Sequence, residues 1–188
     1  SMSLISADEA MALEAQITIH ARASGGSAGN TVAGISALGL KTGFIGKVGN
    51  DPLGHFFSED MRKLGSHFPM AAHDELPTGR CIVLLTPDAE RTMHTLLGAS
   101  ISTQPSDLDE AALADTEILF GEGYIWDSPS ARDTFLEAAR IVKANDGRVA
   151  FSLSDPFCVE RHLGVLQSFV SDHVDILLAN LEEANALF

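Results

Sequence analysis

Residues 148–180, RVAFSLSDPFCVERHLGVLQSFVSDHVDILLAN, decide the fold of this chain. The stretch has a strand pattern in RVAFSLS, a helical pattern in VERHLGVLQSFVSDH and a second strand pattern in VDILLAN. The same alternation starts at Glu117, where EILFGEGYI predicts a strand and Ser128-Pro129 opens a helix that ends at Gly147, and a last helix begins in LEEANALF. Strands that alternate with helices predict an α/β fold with a parallel sheet covered on both faces. Ligands of such sheets bind beyond the carboxyl ends of the strands.

The first part of the chain carries local signals for three helices and two strands. The motif Ser6-x-x-Glu9 is a capping-box pattern and predicts a helix from about residue 7. ITIHARAS, residues 17–24, alternates apolar and polar side chains and predicts a half-buried strand. NTVAGISALGL predicts a helix that packs tightly against a sheet and ends at Gly39, and TGFIGKVG predicts a buried strand. Asp51-Pro52 predicts the N-cap and first residue of a third helix.

Residues 79–98, GRCIVLLTPDAERTMHTLLG, predict a β-hairpin. Two runs rich in β-forming residues flank the turn Thr86-Pro87-Asp88-Ala89-Glu90. A long hairpin in an α/β chain often stands off the core as a flap, so we expect this segment to act as a lid.

The composition is that of an acidic globular domain. The 188 residues are 45% hydrophobic and 20% charged, and 12 Lys and Arg against 26 Asp and Glu give a net charge of −14. This charge argues against nucleic-acid and membrane-surface binding, but not against a nucleotide that arrives with a metal ion. Cys81 and Cys158 lie far apart, the seven histidines include no HExxH motif, and no signal-peptide or membrane-span pattern appears. We therefore expect a protein of the reducing cytoplasm.

The glycine loop, SGGSAGN at residues 24–30, has two interpretations. Gly25 to Gly29 satisfies G-x-S-x-G, the nucleophile elbow of serine hydrolases, with Ser27 as nucleophile and Asp155 and His173 following in the required order. Alternatively, the loop opens a helix whose free N–H groups and positive dipole end face a ligand that glycine backbone lets approach. The loop also admits a purely structural interpretation, in which Ser27 or Asn30 only caps the helix.

Several motifs together resemble a known family. GGSAGN, Gly39 and GKVGNDPLG are similar to the N-terminal signature of the PfkB (ribokinase-like) family of sugar and nucleoside kinases, although Val32 departs from the small residue expected there. LPTGRCIVLL, AERTM, FSLSDPF and VDILLANLEEANAL resemble its adenosine kinase branch. The resemblance runs from Ser24 to Phe188. It implies a three-layer ribokinase-like α/β core with a small hairpin lid, in one domain over residues 1–188 that is incomplete at both ends. Lid segments are expected at about 16–24 and 78–97.

The resemblance also implies roles for individual residues. The residues implied to bind substrate are Gly25, Gly26, Ser27, Asn30, Cys81 and Tyr124, with Thr78 and Gly79 lining the lid. Arg91, Asn180 and Glu183 are implied for phosphate and nucleotide, with Glu183 acting on Mg²⁺ through water, and ATP and Mg²⁺ as cofactors. Trp126, like Tyr124, is a candidate to stack on a base or sugar, and Asp155 is a candidate polar contact at the ligand crevice. Structural alternatives stay open at most of these positions. Asn180-x-x-Glu183 is also a capping box, Arg91 a solvated side chain, Cys81 a small buried hydrophobe, Tyr124 and Trp126 core aromatics, and Asp155 a turn residue.

The activity implied is ATP-dependent phosphorylation of a sugar or nucleoside hydroxyl, with adenosine first and ribose or a hexose second. The family's general-base aspartate is expected beyond Phe188, and the strand whose aspartate binds sugar hydroxyls is expected before this chain. We therefore expect these 188 residues to be inactive alone. A serine hydrolase and a non-catalytic sugar- or nucleoside-binding module are the alternatives. The expected partners are a sugar or nucleoside substrate and ATP. A homodimer is a further expectation for the assembly.

Overall fold

The protein is described here by a computed structural model that covers residues 2–69, 71–88 and 90–188. The chain divides into two compact units, Ser1–Ile101 and Ser102–Phe188. The single domain over residues 1–188 and the lid segments near 16–24 and 78–97 stay predictions. Ala89 of the expected hairpin turn lies outside the described residues.

Two of the three helices of the first unit begin where local signals place them, and the other, predicted from Asn30, begins three residues earlier, at Ser27. They are α1 (Ala7–Glu14), α2 (Ser27–Ala37) and α3 (Pro52–Lys63). The predicted capping box of α1 is present, with Ser6 and Glu9 each accepting a hydrogen bond from the other's backbone. Asp51 caps α3 by accepting from the Gly54 N–H. Gly39, at φ +83°, follows α2 and allows the chain to turn where a side chain would be strained.

The strands of the first unit form two sheets. They are β1 (Met2–Leu4), β2 (Lys47–Gly49), β3 (Ala71–His73), β4 (Arg80–Leu85) and β5 (Arg91–Leu96). The order β1-β5-β4 combines a parallel β1–β5 pair with an antiparallel β4–β5 pair, which confirms the predicted hairpin, while β2 and β3 pair in parallel. The strand predicted over 42–49 is shorter than expected, since only Lys47–Gly49 forms a ladder and Gly43 makes one isolated bridge to His67.

Two expectations for the first unit are wrong. Residues 17–24 form no strand, and most of their side chains are exposed, so the alternation of apolar and polar residues there does not mark a buried face. The second wrong expectation is that α2 packs against a sheet. The buried residue of α2 is Gly29, and the side chains nearest to it are Phe57 and Met61 of α3 rather than side chains of a strand.

The second unit is built on one parallel sheet. Its helices are α4 (Glu110–Ala114), α5 (Pro129–Ala144), α6 (Pro156–His173) and α7 (Leu181–Leu187), and its strands are β6 (Ile118–Glu122), β7 (Arg148–Ser152) and β8 (Ile176–Leu178). Its short 3-10 helices lie at Pro105–Asp107 and Gly123–Asp127, and a further one, Gly98–Ser102, belongs mostly to the first unit. The order β6-β7-β8 with parallel pairing confirms the βαβ units predicted from the sequence. The predicted strand 117–125 ends earlier, at Glu122, where the 3-10 helix begins.

The core of the second unit contains an aromatic cluster of Trp126, Phe135, Phe151 and Phe169, with ring centroids 4.6–6.2 Å apart. Val149, Ala150 and Phe151 are buried in succession, so both faces of β7 are covered, as expected for a central parallel strand. At its rim, Arg161 and His162 of α6 both reach Asp127, at 2.8 Å. Within the described residues, no helix combines the length and apolar content needed to span a bilayer.

Candidate functional site

The glycine loop ends at a helix whose N-cap residue is a glycine. Gly26 is the N-cap of α2 at φ +86°, a conformation that L side chains rarely adopt. Gly26 has no side chain with which to cap α2, and neither Ser27 nor Asn30 stands at the N-cap position expected for them. Ser27 is the first residue of α2, and Asn30 follows one turn later with its backbone N–H on the Gly26 carbonyl at 2.9 Å. Both side chains are exposed.

Space around the loop is open. A Cβ built at Gly25 or Gly26 meets no heavy atom within 4 Å. The backbone at Gly25 and Gly26 therefore borders open space that a polar ligand can enter. The exposed Asn30 side chain adds a donor and an acceptor, the pair of functions that adjacent hydroxyl groups require.

The geometry of a nucleophile elbow is missing at Ser27. An elbow places its serine on a tight turn directly between a strand and a helix. Here the described residues between α1 and α2, 15–26, form no strand. His173, the expected base, is an exposed residue at the end of α6.

The hairpin, β4 with β5, carries Cys81 and Arg91 on one face. Cys81 pairs with Thr95 and Leu85 pairs with Arg91, so Cys81 lies near the root and Arg91 at the tip. Cys81 and Leu85, the partner of Arg91, are four residue steps apart along β4, a distance of about 13 Å. Cys81 is exposed and accepts a hydrogen bond from the Thr95 hydroxyl at 3.4 Å, so its interpretation as a buried hydrophobe is wrong.

Thr78 and Gly79 belong to the root of the hairpin rather than to its lining. Thr78 is 6% exposed, and its hydroxyl donates to Asp51 Oδ1 at 2.7 Å. A Cβ at Gly79 stands 2.5 Å from the Leu97 carbonyl oxygen, so glycine is required by the close approach of two backbones. The role expected for Thr78 as a lid-lining residue is therefore wrong.

In the second unit, three predicted positions meet at one edge of the sheet. Tyr124 follows β6, Asp155 follows β7, and Asn180 follows β8. Because the strands are parallel neighbours in the order β6-β7-β8, their carboxyl ends lie side by side. This is the edge at which ligands of parallel sheets bind.

Tyr124 and Ser154 define the middle of that edge. The Tyr124 ring is 42% exposed, and its hydroxyl donates to the Ser154 carbonyl at 3.3 Å. Ser154 adopts φ +71°, and its hydroxyl accepts from the Gly123 N–H at 2.9 Å. Burial and the nearby carboxylates, Asp155 first among them, raise the pKa of Tyr124, so the phenol stays protonated. An exposed aromatic face fixed by its hydroxyl is suited to stacking on a sugar or base.

Asn180 and Glu183 form the end of the edge. Asn180 Oδ1 accepts from the Glu183 N–H at 2.8 Å, and the two Glu183 oxygens accept from the Asn180 backbone N–H at 3.1 Å and side-chain amide at 2.9 Å. The pair is thus a capping box for α7, as the structural alternative predicted. Glu183 is 7% exposed, whereas Asn180 and the neighbouring Glu182 are exposed.

The donor set at this edge fits Mg²⁺ held through water. The described residues contain no group of three His, Cys, Asp or Glu side chains placed to bind a metal ion directly. Mg²⁺ usually keeps several waters and takes one or two carboxylates together with substrate phosphates. Each Glu183 oxygen accepts one hydrogen bond in the capping box, which leaves lone pairs for a water ligand of the ion.

Trp126 and Asp155 have structural roles. Trp126 is 5% exposed within the aromatic cluster, so core packing rather than stacking describes it. Asp155 caps α6 by accepting from the Phe157 N–H at 2.8 Å. Two features carry no sequence signal: the positive φ of Ser154, and the hydrogen bonds between Asp51 and Thr78, which lie far apart along the chain.

Comparisons with known proteins cover nearly the whole chain. The profile described as pfkB family carbohydrate kinase matches residues 4–188. A 5-dehydro-2-deoxygluconokinase of Halalkalibacterium halodurans is 31% identical over 170 residues, 87% of this chain and 51% of that protein. An adenosine kinase structure from Sinorhizobium meliloti (42% identical) and a probable sugar kinase structure from Rhizobium etli (39%) each have a TM-score of 0.90 and cover 99% of this chain and 57% of theirs. The chain spans about half the length of the curated relatives it matches. The predicted ribokinase-like α/β fold is confirmed.

Proposed function

Because this chain belongs to the pfkB family of carbohydrate kinases, we propose that the whole protein transfers a phosphoryl group from ATP to a hydroxyl group of a sugar or nucleoside. The observation that carries the proposal is the family match over residues 4–188. The open glycine loop and the carboxyl edge of β6-β7-β8 support it, since both are built for polar small molecules.

Each unit carries residues to which we assign a binding role. In the first unit, the α2 amides and Asn30 hold hydroxyl groups, and the hairpin carries Cys81 as a further substrate-binding residue. Arg91 at the hairpin tip offsets negative charge on a phosphoryl group. In the second unit, Tyr124 stacks on a sugar or base, and Glu183 orients water bound to Mg²⁺.

ATP and Mg²⁺ supply the phosphoryl group and neutralise its developing charge when they are bound. Catalysis of this kind rests on positioning and on electrostatic stabilisation, which is the work of the residues named above. To none of the residues named above do we assign the general base that takes the proton of the acceptor hydroxyl.

Adenosine is the first acceptor we propose. The 42% identity to a protein titled adenosine kinase favours a nucleoside, and the exposed ring of Tyr124 suits a base. A sugar or sugar acid is the second acceptor, favoured by the relatives named 5-dehydro-2-deoxygluconokinase and the neighbour titled probable sugar kinase. A cytoplasmic location and a homodimer stay predictions.

The test is ADP release by the full-length protein with MgATP, measured across adenosine, other nucleosides, ribose, hexoses and 5-dehydro-2-deoxygluconate. The intact mass is checked first, because a truncated sample would imitate an inactive enzyme. ADP release with one class of acceptor, matched by phosphorylated product, is the expected result. Binding of an acceptor without ADP release from an intact chain would instead favour the non-catalytic binding module.

A further inference from the structure

Helix α3 contacts both the glycine loop and the root of the hairpin, the two parts of the first unit to which we assign substrate binding. It carries none of the predicted site residues itself. At its N-terminus, Asp51 contacts the root of the hairpin. Near its C-terminus, Asp60 contacts the glycine loop, since Asp60 Oδ2 accepts from the Ser24 hydroxyl at 2.7 Å. Gly29 of α2 also packs against the same helix, with Phe57 and Met61 as its neighbours.

The contact at the hairpin root is a closed set of hydrogen bonds, which we call the Asp51–Thr78 clamp. Asp51 Oδ2 accepts from the Thr78 N–H at 2.8 Å, and Oδ1 accepts from the Thr78 hydroxyl at 2.7 Å and from the Gly54 N–H at 2.8 Å. The Thr78 hydroxyl in turn accepts from the Gly49 N–H at 2.9 Å. One carboxylate thus joins the end of β2, the start of α3 and the residue two positions before β4.

Backbone segments approach one another closely at the clamp. A Cβ at Gly54 would stand 2.1 Å from the Gly49 carbonyl oxygen, and one at Gly98, after β5, would stand 2.2 Å from the Pro77 carbonyl oxygen. The Ala99 N–H donates to that Pro77 oxygen at 2.8 Å, which ties the end of β5 to the start of β4. Contacts of this kind fix a hairpin at its root, and the position of the root then determines the position of the tip.

We propose that Asp51 is a positioning residue that sets the hairpin, and with it Cys81, at a fixed distance from the glycine loop through α3. Asp51 acts through Thr78 and touches no ligand itself. The inference rests on the proposed function, because it assigns the hairpin a part in excluding water during phosphoryl transfer. Burial works to raise the pKa of Asp51, but the hydrogen bonds from Thr78 and Gly54 lower it overall, so the carboxylate form is the one that holds the clamp.

Asp51→Asn and Thr78→Val open the clamp in different ways. Asparagine is as good an N-cap as aspartate, so α3 still starts correctly, but its amide nitrogen faces the Thr78 N–H and cannot accept from it. Valine keeps the shape of threonine and removes the hydroxyl. Thr78→Ser, which keeps the hydroxyl, is the rescue variant. Glu59→Gln is the matched control, because Glu59 is an exposed acid of the same helix that pairs with Lys63.

The first measurement is hydrogen exchange of backbone amides in the full-length protein. We expect Asp51→Asn and Thr78→Val to speed exchange in β4 and β5 by about tenfold, which corresponds to about 1.4 kcal/mol of opening free energy. Amides of α2 and α3 should keep their wild-type rates, as should the hairpin in Thr78→Ser and Glu59→Gln. Unchanged hairpin exchange in both clamp variants, or a rise shared equally by α2, α3 and the hairpin, would overturn the proposal.

The second measurement compares ADP released with acceptor phosphorylated. A loosened hairpin admits water, which takes the phosphoryl group and yields inorganic phosphate, so the ratio should exceed the one-to-one value of the wild type. General loss of folded protein lowers both quantities together and leaves the ratio unchanged. A wild-type ratio in variants whose hairpin exchanges faster would show that positioning has no part in the reaction and would refute the inference. If the wild type releases no ADP with any acceptor, the proposed function fails, while the exchange experiment still decides whether Asp51 sets the hairpin.

Discussion

Glu183→Gln separates the two roles that this side chain combines. As a helix cap, Glu183 accepts hydrogen bonds from the backbone N–H and side-chain amide of Asn180. As a proposed Mg²⁺ group, it needs its negative charge. Glutamine is an accepted residue at this position of a capping box, so the substitution removes the charge and keeps most of the cap.

The stability cost follows from the hydrogen bonds. Asn180 cannot rotate its amide, because its Oδ1 accepts from the Glu183 N–H at 2.8 Å. The glutamine amide nitrogen therefore faces a donor, and one hydrogen bond is lost at a cost of about 1 kcal/mol. Loss of a charge at the N-terminus of α7 adds about 0.5 kcal/mol. A total of about 1.5 kcal/mol leaves a protein of ordinary stability almost fully folded, so any large loss of activity has another cause.

The assay is the Mg²⁺ dependence of ADP release by the full-length protein, with urea unfolding in parallel. Loss of a group that orients metal-bound water typically costs about 10-fold or more in metal affinity or activity. Glu182→Gln is the control, because Glu182 is an exposed acid in the first turn of the same helix. If the Mg²⁺ dependence and turnover of Glu183→Gln equal those of this control, Glu183 is a cap and nothing more.

Three further predictions concern the core, the pH dependence and acceptor binding. Phe151→Ala removes a fully buried ring from the aromatic cluster and should cost about 3–5 kcal/mol in urea unfolding; a cost below about 1 kcal/mol would contradict this packing. Burial works to raise the pKa of Asp127, but hydrogen bonds from His162 and its neighbouring arginine lower it overall. The stability that Asp127 contributes is present above its unfolded pKa of about 3.9 and is lost as the pH falls through its lower folded pKa. The free energy of unfolding of Asp127→Asn should therefore depend less on pH below about 4 than that of the wild type. An unchanged pH dependence in this range would refute the prediction. Asn30→Ala should raise the KM for the acceptor while Ser27→Ala has a smaller effect; a variant of Ser27 that binds acceptor normally yet has lost all activity would count against the kinase.

Features set by neighbours along the chain were predictable from the sequence. Four-residue motifs predict the capping boxes of α1 and α7, and the pair Asp51-Pro52 predicts the cap of α3; the structure contains all three. The βαβ alternation after residue 117 was predicted because each element buries an apolar face with its own period.

Features set by distant contacts were not predictable. Residues 17–24 have the alternation of a strand, but no described strand pairs with them, and an alternating pattern without a partner gives no ladder. The family resemblance implies that Thr78 lines the lid. Its burial comes from Asp51, 27 residues earlier, and no local pattern reports that contact.

Asn180 and Glu183 were interpreted both as a capping box and as a ligand-binding motif, and both interpretations follow from their position in the fold. A helix that follows a parallel strand must begin at the carboxyl edge of the sheet, so its cap lies where ligands bind. The cap needs an oxygen acceptor at each of two positions, and the capping box supplies both. Glutamine would still accept from the Asn180 backbone N–H and would lose only the hydrogen bond from the Asn180 side-chain amide. The backbone part of the cap therefore does not need the charge of the 7% exposed carboxylate, and burying a charge is costly. That excess charge is the reason to assign Glu183 a ligand beyond the helix it caps.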